Sequence, residues 1–337
     1  MTGRSKTLLV TGANGFIGSN LCAHFLGRGH RVYGLVRRTA DTHFLRGLPV
    51  RVLHGDLARP EEFRLPGDVE DVIHAASIVS DLADDDACRR NILGLAQSLV
   101  ARVRADGLRL RRFVYVSTAI VLGYRRLNIS PERPGLPADF MPYVRFKKAT
   151  EAFLREEFER RAFPVVVLRP ADVYGPNDRT SCLQIVKGMD EGKFPFVGHG
   201  RWRFPFCDIS NLCQAAELAL DAPGVEGRAY TVANGTAPTW REFFGGLLRE
   251  LGRKPAYTVP APVALALGSI AETAYRLYPH FDPIITRYRI RRITTHTTYD
   301  ILPTVAELGY RPDDRLDVQV KAIVDWYRRE KREGYVR

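Results

Sequence analysis

The chain has 337 residues, of which 45% are hydrophobic and 10% aromatic, with a formal net charge of +12. That much apolar material suits one large domain or two closely packed ones, and the lack of low-complexity blocks or fixed-period repeats excludes a disordered, fibrous or solenoid chain. The cations are spread along the sequence without a nucleic-acid-binding module, so they read as a solvated basic face; no nucleic-acid partner is expected, while an anionic ligand or peripheral contact with an anionic membrane surface stays open.

The N-terminal stretch "MTGRSKTLLVTG" holds a four-residue apolar run, too short for a secretory leader, so a cytoplasmic location is expected. Leu8, Leu9 and Val10 read as a short buried strand, and Phe16, Ile17, Leu21 and Phe25 keep helical spacing from about Gly15. Between them fall Gly12, Gly15 and Gly18. A second strand follows in "HRVYGLVRR", His30 to Arg38, through Val32, Leu35 and Val36. This is a β-α-β unit of dinucleotide-binding length, in which one glycine makes the tight turn, one admits a pyrophosphate against backbone and one lets the helix pack on the sheet. The helix N-terminus would give the phosphates unpaired N–H groups. At the end of the second strand, where an acid suits NAD, stand Arg37 and Arg38, which favour NADP over NAD.

Strands and helices then alternate: "VRVLHGD" (50–56), "DVIHAAS" (71–77), a helix from about Asp85 to Ala105, the strand "RFVYVSTAIVLG" (112–123), a helix from Tyr143 to Arg161 and the strand "PVVVLRP" (164–170). The alternation predicts a Rossmann-type, doubly wound α/β fold with a parallel sheet covered on both faces and ligands at the carboxyl ends of its strands. Asp56 and Leu57 fall at one such end, with Ala75 and Ala76 at the next. "YVRFK" places Tyr143 and Lys147 four residues apart on one helix face, where the ammonium is expected to lower the phenol's pKa. The strand before it ends in "VST", so Ser117 or Thr118 can bond the same substrate oxygen. Farther on, "VPAPVALALGSIA" (259–271) is too short to span a bilayer and reads as a buried helix, with a pocket wall or a membrane-surface helix as alternatives. "RYRIRR" (287–292) is a local basic cluster. Five scattered cysteines without CxxC imply free thiols, and the eight histidines give no metal spacing.

Taken in order, these motifs resemble the extended short-chain dehydrogenase/reductase family over almost the whole chain. "TGANGFIG" matches its TGxxGxxG, "GDL" its adenine-binding acid, "HAAS" its fourth-strand signature and "YVRFK" its YxxxK, with "LRPADVYGPND", "YTVANG" and "AELGYRP" matching later landmarks. The resemblance implies a cofactor, NADP or NAD, held by Gly12, Gly15, Phe16, Ile17, Gly18, Arg37, Asp56, Leu57, Ala75, Ala76, Asn91, Tyr143 and Lys147. It implies catalysis by Thr118, Tyr143 and Lys147, with Thr118 selected over Ser117 because it lies five residues before Gly123. Hydride would pass between nicotinamide C4 and a secondary alcohol or ketone carbon of a small-molecule substrate. The cofactor domain would span residues 5–178 with returning segments near 208–235, and the substrate-binding region 179–207 and 236–330.

Within the family, sugar-nucleotide epimerases carry a diphosphate-binding Arg in the run corresponding to Arg201–Asn211, where Phe204 takes its place beside Arg203. Dehydratases place Asp and Glu after the catalytic Thr, where Ala119 and Ile120 stand. The apolar 262–271 run and the 287–301 segment look like the 3β-hydroxysteroid dehydrogenase-like and dihydroflavonol reductase-like branch, so a hydrophobic alcohol or ketone is favoured. The alternatives are a sugar-nucleotide 4-epimerase with tightly bound NAD, using Arg201 and Arg203, and a non-catalytic dinucleotide-binding protein. A homodimer through the helix carrying YxxxK is also implied.

Overall fold

The structure, a computed structural model, describes residues 4–80, 82–255, 257–277 and 286–336. It begins with β1 (Thr7–Thr11), α1 (Phe16–Gly27), β2 (Arg31–Val36), β3 (Arg51–His54) and β4 (Asp71–His74). There follow α2 (Asp85–Cys88), α3 (Leu95–Ala105), β5 (Arg112–Val116), α4 (Pro142–Arg161), β6 (Val165–Pro170) and β7 (Asp172–Tyr174). The remainder comprises α5 (Cys182–Asp190), β8 (Phe196–Val197), β9 (Phe206–Asp208), α6 (Ile209–Asp221), β10 (Ala229–Val232), α7 (Trp240–Leu251) and β11 (Thr258–Val259). The last described helices are α8 (Ala261–Leu277), α9 (Arg287–Ile293), α10 (Leu302–Leu308) and α11 (Leu316–Arg332).

Seven parallel strands form the main sheet in the order β10-β6-β5-β4-β1-β2-β3. The order reverses between β1 and β4, which opens the crevice where ligands of such sheets lie. The central strands are buried on both faces: every residue of β1, β4 and β5 is buried, and their middles are apolar without the alternation of a half-exposed strand. One face packs Leu8, Val10, Val114 and Val166 against Leu21 and Phe25 of α1 and the alanines of α6. The other packs Leu9, Val72, Phe113 and Val165 against Leu99 and Val103 of α3 and Leu154 of α4.

Two readings of the sequence change in detail. The expected strand 112–123 ends at Val116, after which Ala119–Leu122 form a 3₁₀ turn closed by Gly123 at φ +97°. The expected helix 85–105 is broken by a π turn at Arg89–Gly94, which contains Asn91. The five cysteines are unpaired and buried.

The segments after β7 build a second core. Phe204, Phe206, Trp240, Phe243 and Phe244 join Val186 of α5 and Trp326 of α11 in a separate aromatic core, each fully buried large side chain contributing about 1.5–3 kcal/mol. Tyr335 returns from the C-terminus to the loop after β2, stacking on His43 at 3.9 Å and donating to Asp41 at 2.6 Å. Glu330 meets His43 Nε2 at 2.7 Å, so the tail pins the loop that follows Arg37 and Arg38.

Candidate active site

The turn after β1 is shaped by contacts that only glycine permits. Gly12 has φ +64°, and a Cβ there would stand 2.9 Å from the Ala76 Cα. A Cβ on Gly18 would fall 2.1 Å from the Gly12 carbonyl oxygen, so α1 rests directly on the turn. The N-cap, Gly15, offers no side-chain acceptor, and the first turn holds no acid, which leaves the N-terminal amides at Phe16 and Ile17 open to an anion. Asn20 and Asn177 tie α1 to the loop after β7, through Pro176 O at 2.9 Å and Ser19 Oγ at 3.1 Å.

The other expected cofactor positions line the same edge. Arg37 and Arg38 follow β2, are exposed, and have no ion-pair partner among the described residues. The nearest acid in sequence, Asp41, is taken by Tyr335 and by Arg179 at 3.0 Å. Asp56 follows β3 with its Oδ1 accepting from Ala58 N at 2.9 Å, and Leu57 is buried beside it. Ala75 and Ala76 follow β4, and the Ala76 amide donates to Thr11 Oγ1 at 3.2 Å. Asn91 turns its side chain back to Ala87 O at 2.9 Å and gives its carbonyl to Ile78 N, so in this structure the π turn is stapled to the segment after β4.

Thr118, Tyr143 and Lys147 converge where β5 ends and α4 begins. Pro142 starts α4 without losing a needed N–H, which sets Tyr143 in its first turn and Lys147 one turn later. The ammonium of buried Lys147 donates to Val116 O at 2.9 Å and lies 5.8 Å from the Tyr143 ring centre. Desolvation pushes Lys147 down to about 7, although Glu151 one turn along pulls the other way.

The expected lowering of the Tyr143 pKa is reversed. Desolvation pushes the phenol up to about 12, opposed by a hydrogen bond from Thr118 and by the Arg292 cation, while Lys147 is not among the causes. The spacing does bring the two groups together on one helix face, but burial outweighs Coulomb attraction in each. The result is a phenol protonated at neutral pH beside an amine that titrates near neutrality.

Other groups at this site carried little sequence signal. Ser117 donates to Glu151 Oε1 at 2.5 Å, and Glu151 takes a fork from Arg169, 2.6 Å at its shortest, so Ser117 faces this network behind the site. Arg292 of α9 pairs with Asp172 of β7. Tyr288, one turn before Arg292, joins Tyr143, Ile120, Tyr124, Met141 and Val144 in one apolar cluster, which makes α9 part of the site's roof.

Residues 8–233 match the model of the NAD dependent epimerase/dehydratase family. The chain belongs to that family. It is an enzyme of the extended short-chain dehydrogenase/reductase type, as its motifs implied. Among curated relatives, a 2-alkyl-3-oxoalkanoate reductase of Stenotrophomonas maltophilia is 29% identical over 336 residues, covering 94% of this chain and 98% of the relative. A decarboxylating sterol-4-alpha-carboxylate 3-dehydrogenase of Candida albicans is 25% identical over 365 residues, covering 95% and 97%. Among solved structures, the UDP-glucuronic acid 4-epimerase from Bacillus cereus in complex with NAD superposes with a TM-score of 0.75 at 21% identity, covering 96% of each chain, which is a likeness of fold.

Proposed function

We propose that this enzyme transfers a hydride between a nicotinamide cofactor, preferably NADP, and a secondary alcohol or ketone carbon of a hydrophobic small molecule, with Tyr143 as the acid/base. The observation that carries the reading is the meeting of Thr118, Tyr143 and Lys147 under the apolar roof of Ile120, Tyr124, Met141 and Tyr288, on the strand edge that also carries the Gly12–Gly18 turn. Gly12, Gly15, Phe16, Ile17 and Gly18 would hold the pyrophosphate, and Arg37 the 2′-phosphate that its exposed guanidinium suits. Asp56, Leu57, Ala75, Ala76 and Asn91 would line the rest of the cofactor's path. When bound, the nicotinamide supplies or receives the hydride at C4.

The residues of the chain do the rest. Thr118 orients the substrate oxygen and Tyr143 gives it a proton, a direction suited to a phenol protonated at neutral pH. Lys147, anchored to Val116 O, holds the nicotinamide ribose and brings positive charge to the phenolate that forms. The roof excludes water, which strengthens each of these interactions.

A hydrophobic substrate is supported over a sugar nucleotide by Phe204, which is buried and stacked on Trp240 at 3.9 Å where epimerases carry a diphosphate-binding Arg. Arg203 beside it donates to Ala237 O at 2.9 Å. The two relatives' names place the reacting carbon two bonds from a carboxylate, so 3-oxo acids belong in the test set. The experiment is NADPH consumption with long-chain 3-oxo acids, 3-oxosteroids and simple ketones, run beside conversion of UDP-sugars. Turnover of ketones without UDP-sugar conversion is expected; UDP-sugar epimerisation alone would overturn the reading.

A further inference from the structure

Helix α8 is built inside out. Its inward stripe is made of small residues: Ala264 is buried, and a Cβ on Gly268 would stand 3.0 Å from the Arg287 amide at the start of α9. Its large apolar residues face solvent instead, Val263 at 49% exposure, Leu267 at 48% and Ile270 at 65%. These three fall on one face at helical spacing. A helix of a water-filled surface places such side chains inward, so this face is shaped for an apolar neighbour. Tyr257, just before β11, is 57% exposed and adds an amphipathic ring of the kind that settles at a lipid–water boundary.

The charge around the face says which neighbour. From Leu251 to Tyr299 the sequence holds seven Arg and Lys residues against two acids, Glu272 and Asp282. Arg253 is paired with Asp190 at 3.2 Å and Arg292 with Asp172. Glu272 is tied to Arg287 at 2.6 Å, whereas Lys254 and Arg291 are exposed and have no ion-pair partner among the described residues. A second copy of the chain meeting this face across a two-fold axis would set like-charged segments together. Phosphate headgroups would instead neutralise them while the acyl boundary covers the apolar stripe.

We propose that α8 is an in-plane docking helix for an anionic lipid bilayer. Val263, Leu267 and Ile270 enter the acyl boundary, Tyr257 sits at headgroup level, and Lys254 and Arg291 meet lipid phosphates. Because α9 packs on α8 and carries Tyr288 into the cluster around Tyr143, docking brings the roof of the active site to the membrane. Docking stands by itself; delivery of a membrane-dissolved substrate through that roof rests on the function proposed above.

The test is flotation of the full-length protein with vesicles of phosphatidylcholine alone and of phosphatidylcholine mixed with phosphatidylglycerol. Binding to the anionic vesicles, weakened by salt, is expected, with a drop of about tenfold or more in the Leu267→Glu, Ile270→Glu double variant. Leu302→Glu, which changes an apolar residue of α10 that is 69% exposed, should leave flotation unchanged. Reduction of a water-soluble ketone is measured in parallel, so loss of docking with retained turnover separates this proposal from the catalytic one. Absence of binding to anionic vesicles, or equal binding by the double variant, overturns it. So does a concentration-dependent dimer that the double variant splits, which would assign the face to a second copy.

Discussion

Gly18 and Gly268 each let a helix press against its neighbour, yet the two contacts belong to differently built regions. At Gly18 a Cβ would land 2.1 Å from a carbonyl oxygen six residues earlier, so the close approach is local and main chain meets main chain. At Gly268 the approach is to the start of α9, nineteen residues on, and its result is a helix with its bulky apolar side outward. The cofactor end is fixed by geometry that tolerates no extra atom. The roof end trades inward packing for an exposed apolar surface, and substitutions there should act on binding rather than on folding.

The sharpest contrast is expected within α4. Lys147→Met should cut turnover by a factor on the order of 10²–10⁴ while raising thermal stability. The sign follows from Lys147 being held at about 7 against an ordinary value of 10.5. Between those values the unfolded chain binds more protons, so stability rises with pH there, and below about 7 the buried ammonium carries its full cost. Removing it should raise Tm by about 2–4 °C, read by calorimetry at pH 7. A fall in Tm would show that the bond to Val116 O outweighs desolvation.

Gly18→Ala should destabilise the fold by about 3 kcal/mol and abolish cofactor binding, because backbone must move to admit the methyl. Gly27→Ala at the other end of α1 meets nothing within 4 Å and should be neutral or slightly stabilising in the same denaturation assay. Ile270→Ser should also stay within about 0.5 kcal/mol of wild type. A large loss there would erase the contrast between the two ends.

Next in size is the cofactor preference. Arg37→Glu should raise the KM for NADPH about 10–100-fold and that for NADH far less, since it replaces a partner for the 2′-phosphate with a repelling charge. An equal change for both cofactors would place Arg37 outside the ribose site.

The smallest effect concerns pH. Glu151 favours the Lys147 ammonium, so Glu151→Gln should lower the lysine pKa further. The alkaline limb of kcat/KM for ketone reduction should move down by about half a unit to one unit. A limb that stays in place would mean that another group limits the rate.

The sequence makes legible what the chain encodes over short distances. The β1–α1 turn, the strands before Asp56 and Ala75, and the Tyr143–Lys147 spacing are local patterns; β3 and β4 end at His54 and His74, a few residues short of the expected bounds. The Asp172–Arg292 pair and the Tyr335 stack on His43 join residues more than a hundred positions apart, for which a single sequence holds no spacing signal. The direction of the Tyr143 shift is not legible from spacing for a related reason. Spacing tells that two groups are near, whereas the sign depends on how much water the whole fold removes from each. The apolar content of the 259–271 run predicts a buried helix, but which side the bulky residues take depends on Gly268 meeting α9.

The most direct test is single-turnover hydride transfer from NADPH to a ketone of the test set, in wild type and in Tyr143→Phe, with NADPH affinity measured on both. Unchanged affinity with transfer slowed by about 10²–10⁴-fold is the expected result. Transfer at the wild-type rate without the phenol, or no affinity of the wild type for either pyridine nucleotide, would contradict Tyr143 as the proton donor beside a nicotinamide.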